Sequence, residues 1–103
     1  MSNLIAGTVV SGQKTVTAAG TAEQLTTTGL SCTRIIIQAL AGNGGAIYIG
    51  NDGADDVTSA NGFILGATEG ANDRIELSVA DPAQIWVDAA VNGEGVSWIA
   101  EVL

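Results

Sequence analysis

The side chains able to do chemistry in this sequence are almost all carboxylates. Asp52, Asp55 and Asp56 share one short stretch with Asn51 and Gly53. Hard oxygen ligands on a glycine-bearing loop are what Ca²⁺ takes. The spacing departs from the EF-hand pattern, however, and Asn-Asp-Gly is an ordinary turn composition, so a turn is expected and no metal is assigned. A second acidic pair, Asp88 and Glu94, flanks Asn92-Gly93. Paired carboxylates serve acid/base chemistry and glycoside hydrolysis. Here they are expected as solvent-facing residues at the end of a hairpin. Ser and Thr are plentiful, yet there is no His and only one Lys, Lys14, to activate a hydroxyl. Lys14 is expected to be an exposed strand residue guarding a sheet edge. Gly42-Asn43-Gly44-Gly45 lacks the Gly-Lys-Ser/Thr ending of a phosphate loop. Trp86 and Trp98 are expected on adjacent strands across the Asn92-Gly93 turn, packed in the core or exposed as a platform for sugar or protein. No catalytic residue, cofactor or metal is assigned, and the chain reads as a non-enzyme.

The charge balance narrows the partners. Three cations stand against eleven acids over 103 residues, a net charge of −8. So few cations cannot neutralise a run of phosphates, which argues against nucleic acid. An anionic membrane surface is disfavoured for the same reason. With a single Cys, a disulfide framework and a thiolate zinc site are excluded, and Cys32 reads as a small buried hydrophobe. The N-terminal stretch lacks the charged and long apolar regions of a signal peptide, and no apolar run approaches a membrane span. A soluble chain made in a cytoplasm is therefore expected.

The elements that must carry these residues are strands. Ile, Val and Thr occur in short runs between Gly, Asn, Asp and Ser clusters, the pattern of an all-β sandwich or barrel. Residues 1–12 hold the apolar pairs Leu4-Ile5 and Val9-Val10 and read as an extended arm or an edge strand, with a single domain over 13–103. Lys14-Thr15-Val16-Thr17 begins the domain, and Glu23-Gln24-Leu25 makes a short second strand. The strongest strand spans 32–40. It places Ile35, Ile37 and Ala39 on one face and Arg34, Ile36, Gln38 and Leu40 on the other. Residues 42–45 supply positive φ for a hairpin turn back into Ala46-Ile47-Tyr48-Ile49-Gly50. Gly62-Phe63-Ile64-Leu65 is a short strand. In 73–79, Ile75, Leu77 and Val79 alternate inward. Asp81 caps a helical turn with Pro82 at its first position. Ile85-Trp86-Val87-Asp88-Ala89 resumes, Asn92-Gly93-Glu94-Gly95 signals a second hairpin, and 96–102 ends the domain. About seven or eight short strands result, and an antiparallel β-sandwich of jelly-roll type is the expected architecture. A chain of this size buries only about 64% of its unfolded surface, a thin core for which oligomerisation is a common remedy.

The order of these motifs resembles a group of small tailed-bacteriophage virion proteins. The matching pieces run from Lys14-Thr15-Val16-Thr17 and Ala19-Gly20-Thr21-Ala22 through Cys32 and Ile35-Ile36-Ile37-Gln38-Ala39-Leu40. They continue in Ala46-Ile47-Tyr48-Ile49-Gly50, Ser59-Ala60-Asn61-Gly62-Phe63, Ile85-Trp86-Val87-Asp88-Ala89 and Asn92-Gly93-Glu94-Gly95-Val96-Ser97. The resemblance implies a phage structural protein, most like a capsid decoration (cement) protein. Such a protein would be a homotrimer on the capsid exterior, assembled in the host cytoplasm, bridging major capsid protein subunits from outside. Leu4, Ile5, Val9 and Val10 are the expected capsid or subunit contacts, on an arm reaching along a neighbour. A tail or fibre accessory role with a carbohydrate- or receptor-binding function fits the same resemblance.

Overall fold

A computed structural model describes residues 8–51, 57–66, 73–79 and 81–102. It is nearly all β. In chain order the elements are β1 (Thr8–Thr15), β2 (Glu23–Gln24), β3 (Cys32–Ala39), β4 (Ile47–Asn51), β5 (Phe63–Leu65), β6 (Arg74–Leu77), a 3-10 turn (Pro82–Gln84), β7 (Ile85–Ala89) and β8 (Gly95–Val102). They form two antiparallel sheets of four strands, ordered β1-β8-β3-β6 and β2-β7-β4-β5.

The alternation in each strand sets which face is buried. Ile35 and Ile37 on β3 point inward with Val96, Trp98 and Ala100 of β8, and meet Ile47, Ile49, Leu65, Ile85, Val87 and Ala89 of the opposite sheet in one core. Ile35, Ile37, Ile47, Leu65, Val87 and Val96 are fully buried. Each such side chain stabilises the fold by about 1.5–3 kcal/mol relative to exposure. Ile75, Leu77 and Val79 are half-buried and pack against this core, as their alternation predicts. β3 is interior to its sheet, between β8 and β6. Its outer face carries half-buried Ile36 between exposed Arg34 and Gln38.

Several expectations are corrected. The glycine turn at 42–45 and the Asn92-Gly93 turn do not close β-hairpins. β3 and β8 lie in one sheet, β4 and β7 in the other, so both turns carry the chain across the core. Among the described residues only Gly20 and Gly93 have positive φ, so residues 42–45 turn without it. What Gly45 provides instead is room: a Cβ there would sit 2.9 Å from Val91 and 3.0 Å from Ala90. Of the two alternatives for residues 1–12, residues 8–12 take the edge strand and not the extended arm, because β1 runs unbroken from Thr8 to Thr15 along β8 at the edge of its sheet. Leu4 and Ile5 lie outside the described residues, as does the Asp52, Asp55 and Asp56 loop. The 3-10 turn forms as expected, with Ala83 N–H donating to Asp81 Oδ1 at 2.9 Å and Pro82 at its start.

Candidate functional site

The two expected carboxylate partners do not meet in solvent. Asp88 faces outward from β7, but its residue surface is only 3% exposed. The turn at 18–21 covers it, and the N–H groups of Gly20 and Ala89 donate to its Oδ1 at 2.9 and 2.8 Å. A shallow cavity of about 370 Å³ adjoins it, lined by Ala19, Gly20, Tyr48, Ser59, Asp88, Ala89 and Ala90. Glu94 serves a different turn. Its two carboxylate oxygens accept from Gly44 and Gly45 N–H at 2.5 and 2.9 Å. Asn43 bonds both ways to the backbone of Gly95, and Asn92 Oδ1 accepts from Ala19 N–H at 2.7 Å. These polar side chains therefore anchor crossover turns. They are not arranged as an acid/base pair. Among the described residues no three His, Cys, Asp or Glu side chains gather as a metal site.

The tryptophans are not neighbours either. Trp86 stands half-buried on the outer face of β7, paired with Gln24 and Gly50 in register. Trp98 points inward from β8 in the other sheet and is 8% exposed. Its indole lies over Gly12, where a Cβ would be 3.1 Å from the ring. No joint aromatic platform exists, because the turn between the two strands changes sheets.

Lys14 is half-buried, not exposed. It projects inward from β1 and bonds Glu23 Oε1 at 2.7 Å, joining the two sheets along their β1/β2 edge. That contact, with the Thr17 N–H bond at 2.8 Å, holds the Glu23 carboxyl below its ordinary pKa. Cys32 is buried, its S–H directed at Val79 O at 3.0 Å, and burial together with the charge of Asp81 raises the thiol pKa. A thiol held protonated in this way is a poor nucleophile.

The described surface carries two further features. On the outer face of the first sheet, Arg34 bridges Glu76 and Glu101 at 2.9 and 3.0 Å, beside exposed Ile99 and Val9. At the far edge of the second sheet, β5 leaves Phe63 and Ile64 more than half exposed. Phe63 stands at the mouth of an apolar cleft of about 320 Å³ between the sheets, lined also by Ile49, Ile75, Leu77, Val79 and Ile85. Of the expected contact residues, Val9 is 58% exposed on the outer face, whereas Val10 is half-buried and packs against the core. Sequence reasoning did not single out Phe63 and Ile64 as surface residues. The available signal was a three-residue strand bounded by Gly62 and Gly66, which suits a sheet edge, where β5 lies. No helix among the described residues is long and apolar enough to cross a membrane. No protein-family model matches the chain, and no curated protein or solved structure does so.

Proposed function

We propose that this chain is a bacteriophage structural protein, a capsid decoration protein that bridges major capsid protein subunits from the outside of the shell. The phage assignment rests on the motif resemblance. The structural observation that carries the docking role is the Phe63–Ile64 edge. Phe63 and Ile64 are each more than half exposed on an edge strand, and Phe63 opens onto an apolar cleft, in a chain of net charge −8. Exposed apolar surface of this kind is what protein–protein docking uses. Cementing requires contact area and rigidity, not a reaction centre. The strand orders 1-8-3-6 and 2-7-4-5 support a jelly-roll reading, in which strands alternate between two sheets through two Greek keys. The resemblance adds a trimer and an N-terminal contact through Leu4 and Ile5.

Cryo-EM of purified particles tests this reading. The chain should appear on the outer shell, with β5 facing the capsid protein. Phe63→Ser should lower shell occupancy while the protein stays folded, with only a modest fall in melting temperature, since the residue is 54% exposed. Leu4→Ser/Ile5→Ser should lower it as well. Density found only in the tail, or full occupancy by the Phe63→Ser protein, refutes the docking role.

A further inference from the structure

We infer that β1 is a self-pairing edge, through which two copies of this chain join their first sheets about a two-fold axis beside Gly12. The observation is the contrast among the four sheet edges. β2, β5 and β6 have two, three and four residues, which is how natural proteins blunt their edges. β1 has eight. Among the described residues, nothing pairs with its outer side.

The hydrogen-bond pattern says which groups are free. Val16 N–H donates to Glu94 O at 2.9 Å and Val16 O accepts from Gly93 N–H at 2.7 Å, so Val16 faces β8. On the other side of β8, Leu40 N–H donates to Gly95 O at 3.0 Å, so Gly95 faces β3. Main-chain groups alternate in an antiparallel ladder. Thr8, Val10, Gly12 and Lys14 therefore bond to β8. Val9, Ser11, Gln13 and Thr15 turn their N–H and C=O groups to the open edge, where the Val9 C=O also accepts a long 3.4 Å bond from Thr8 Oγ1 and keeps a lone pair for a partner strand.

These four residues are self-complementary. In an antiparallel register centred on Gly12, Val9 meets Thr15 of the second copy and Ser11 meets Gln13, each twice by symmetry. All four residues of each strand then fall in hydrogen-bonded positions, giving about eight main-chain bonds. No charge opposes a like charge across the seam, although each chain carries −8 overall. β1 contains no acid. Its one charge, Lys14, is neutralised within its own chain by Glu23 and would face Val10 of the second copy. The axis falls where neither strand has a Cβ, with the Trp98 indole beneath. Such a contact does not build a trimer; on a trimer it would link one assembly to the next. It is independent of the capsid reading.

Light scattering on the full-length protein, over about 10–500 µM, tests the pairing. The wild-type mass should be twice that of Ser11→Lys/Gln13→Lys, whose lysines oppose each other across the seam and weaken pairing at least about tenfold. Ser11→Glu/Gln13→Lys should restore pairing, since it sets opposite charges against each other in this register alone. Raising NaCl from about 0.05 to 0.5 M should tighten the wild-type pair by screening the net charge. Hydrogen exchange at the Ser11 and Gln13 amides should slow as concentration rises. A mass unchanged by the like-charge variant overturns the inference. So does failure of the opposite-charge variant to restore pairing, or protection that does not depend on concentration.

Discussion

The Asp88 carboxylate and the Gly20 amide, 68 residues apart in sequence, are joined by a 2.9 Å hydrogen bond. The bond pins the turn at 18–21 onto the outer face of β7, where Asp88 is otherwise cut off from water. A buried acceptor that loses its donor, or a donor that loses its acceptor, costs about 1–3 kcal/mol. Asp88→Ala should therefore lower unfolding free energy by about that amount in urea titration, and Asp88→Asn, which keeps an oxygen for Gly20 N–H, should cost less. Equal midpoints for Asp88→Ala and wild type would show that the bond contributes nothing.

Glu94 plays the matching part at the other turn, holding Gly44 and Gly45 through both of its oxygens. Glu94→Ala frees two amide donors in a loop that carries the chain from one sheet to the other. A loss of about 1–2 kcal/mol is expected in urea titration, with faster hydrogen exchange at Gly44 and Gly45 and little change at Ile35 or Ile37. If exchange rises throughout β3 as well, the turn and the strand open together and the effect is not local.

The strand interiors were legible because alternation is a local signal. Ile35 and Ile37, Ile75 and Leu77, and Ile85 and Val87 each declare an inward face, and each is buried or half-buried there. Turn chemistry is also local, but it reports only that the chain reverses. Whether the next strand joins the same sheet depends on partners far along the chain. For that reason the turns at 42–45 and 92–95 looked like hairpins, and Trp86 and Trp98 looked like neighbours. Parity alone puts Asp88 on an outer face. Its burial comes from a distant turn settling over it, which no window around Asp88 contains. Lys14 is a related case: the partner that half-covers it, Glu23, belongs to the opposite sheet.

That same Lys14–Glu23 contact gives the fold an acid-sensitive edge. The folded Glu23 carboxyl titrates below its ordinary value of 4.5, chiefly because of its bond from Lys14 and then that from Thr17 N–H. A depressed folded pKa means that the unfolded chain binds the proton more readily. The contribution is thus present above about pH 4.5 and is lost as pH falls through the folded value. Glu23→Gln should lower stability at pH 7 and flatten the acid limb of a stability–pH curve below about pH 5. An acid limb as steep as that of the wild type would assign the slope to other carboxylates.

Glycines in this chain differ sharply in what they permit. A Cβ at Gly95 would overlap the Lys14 carbonyl oxygen and lie 2.7 Å from Thr15 Cα, both backbone atoms of the adjoining strand. Neither atom can move without opening the β1–β8 ladder. Gly95→Ala should therefore destabilise by about 1–3 kcal/mol, as overpacking does in a close-packed core. At Gly42, by contrast, a Cβ meets nothing within 4 Å and φ is not positive. There Gly→Ala chiefly restricts the unfolded chain, and a gain of about 0.4–1 kcal/mol is expected. Thermal and urea midpoints of the two variants, measured side by side, should move in opposite directions. A shift of the same sign in both would mean that helix and strand preferences, not the backbone contact at Lys14, govern the response.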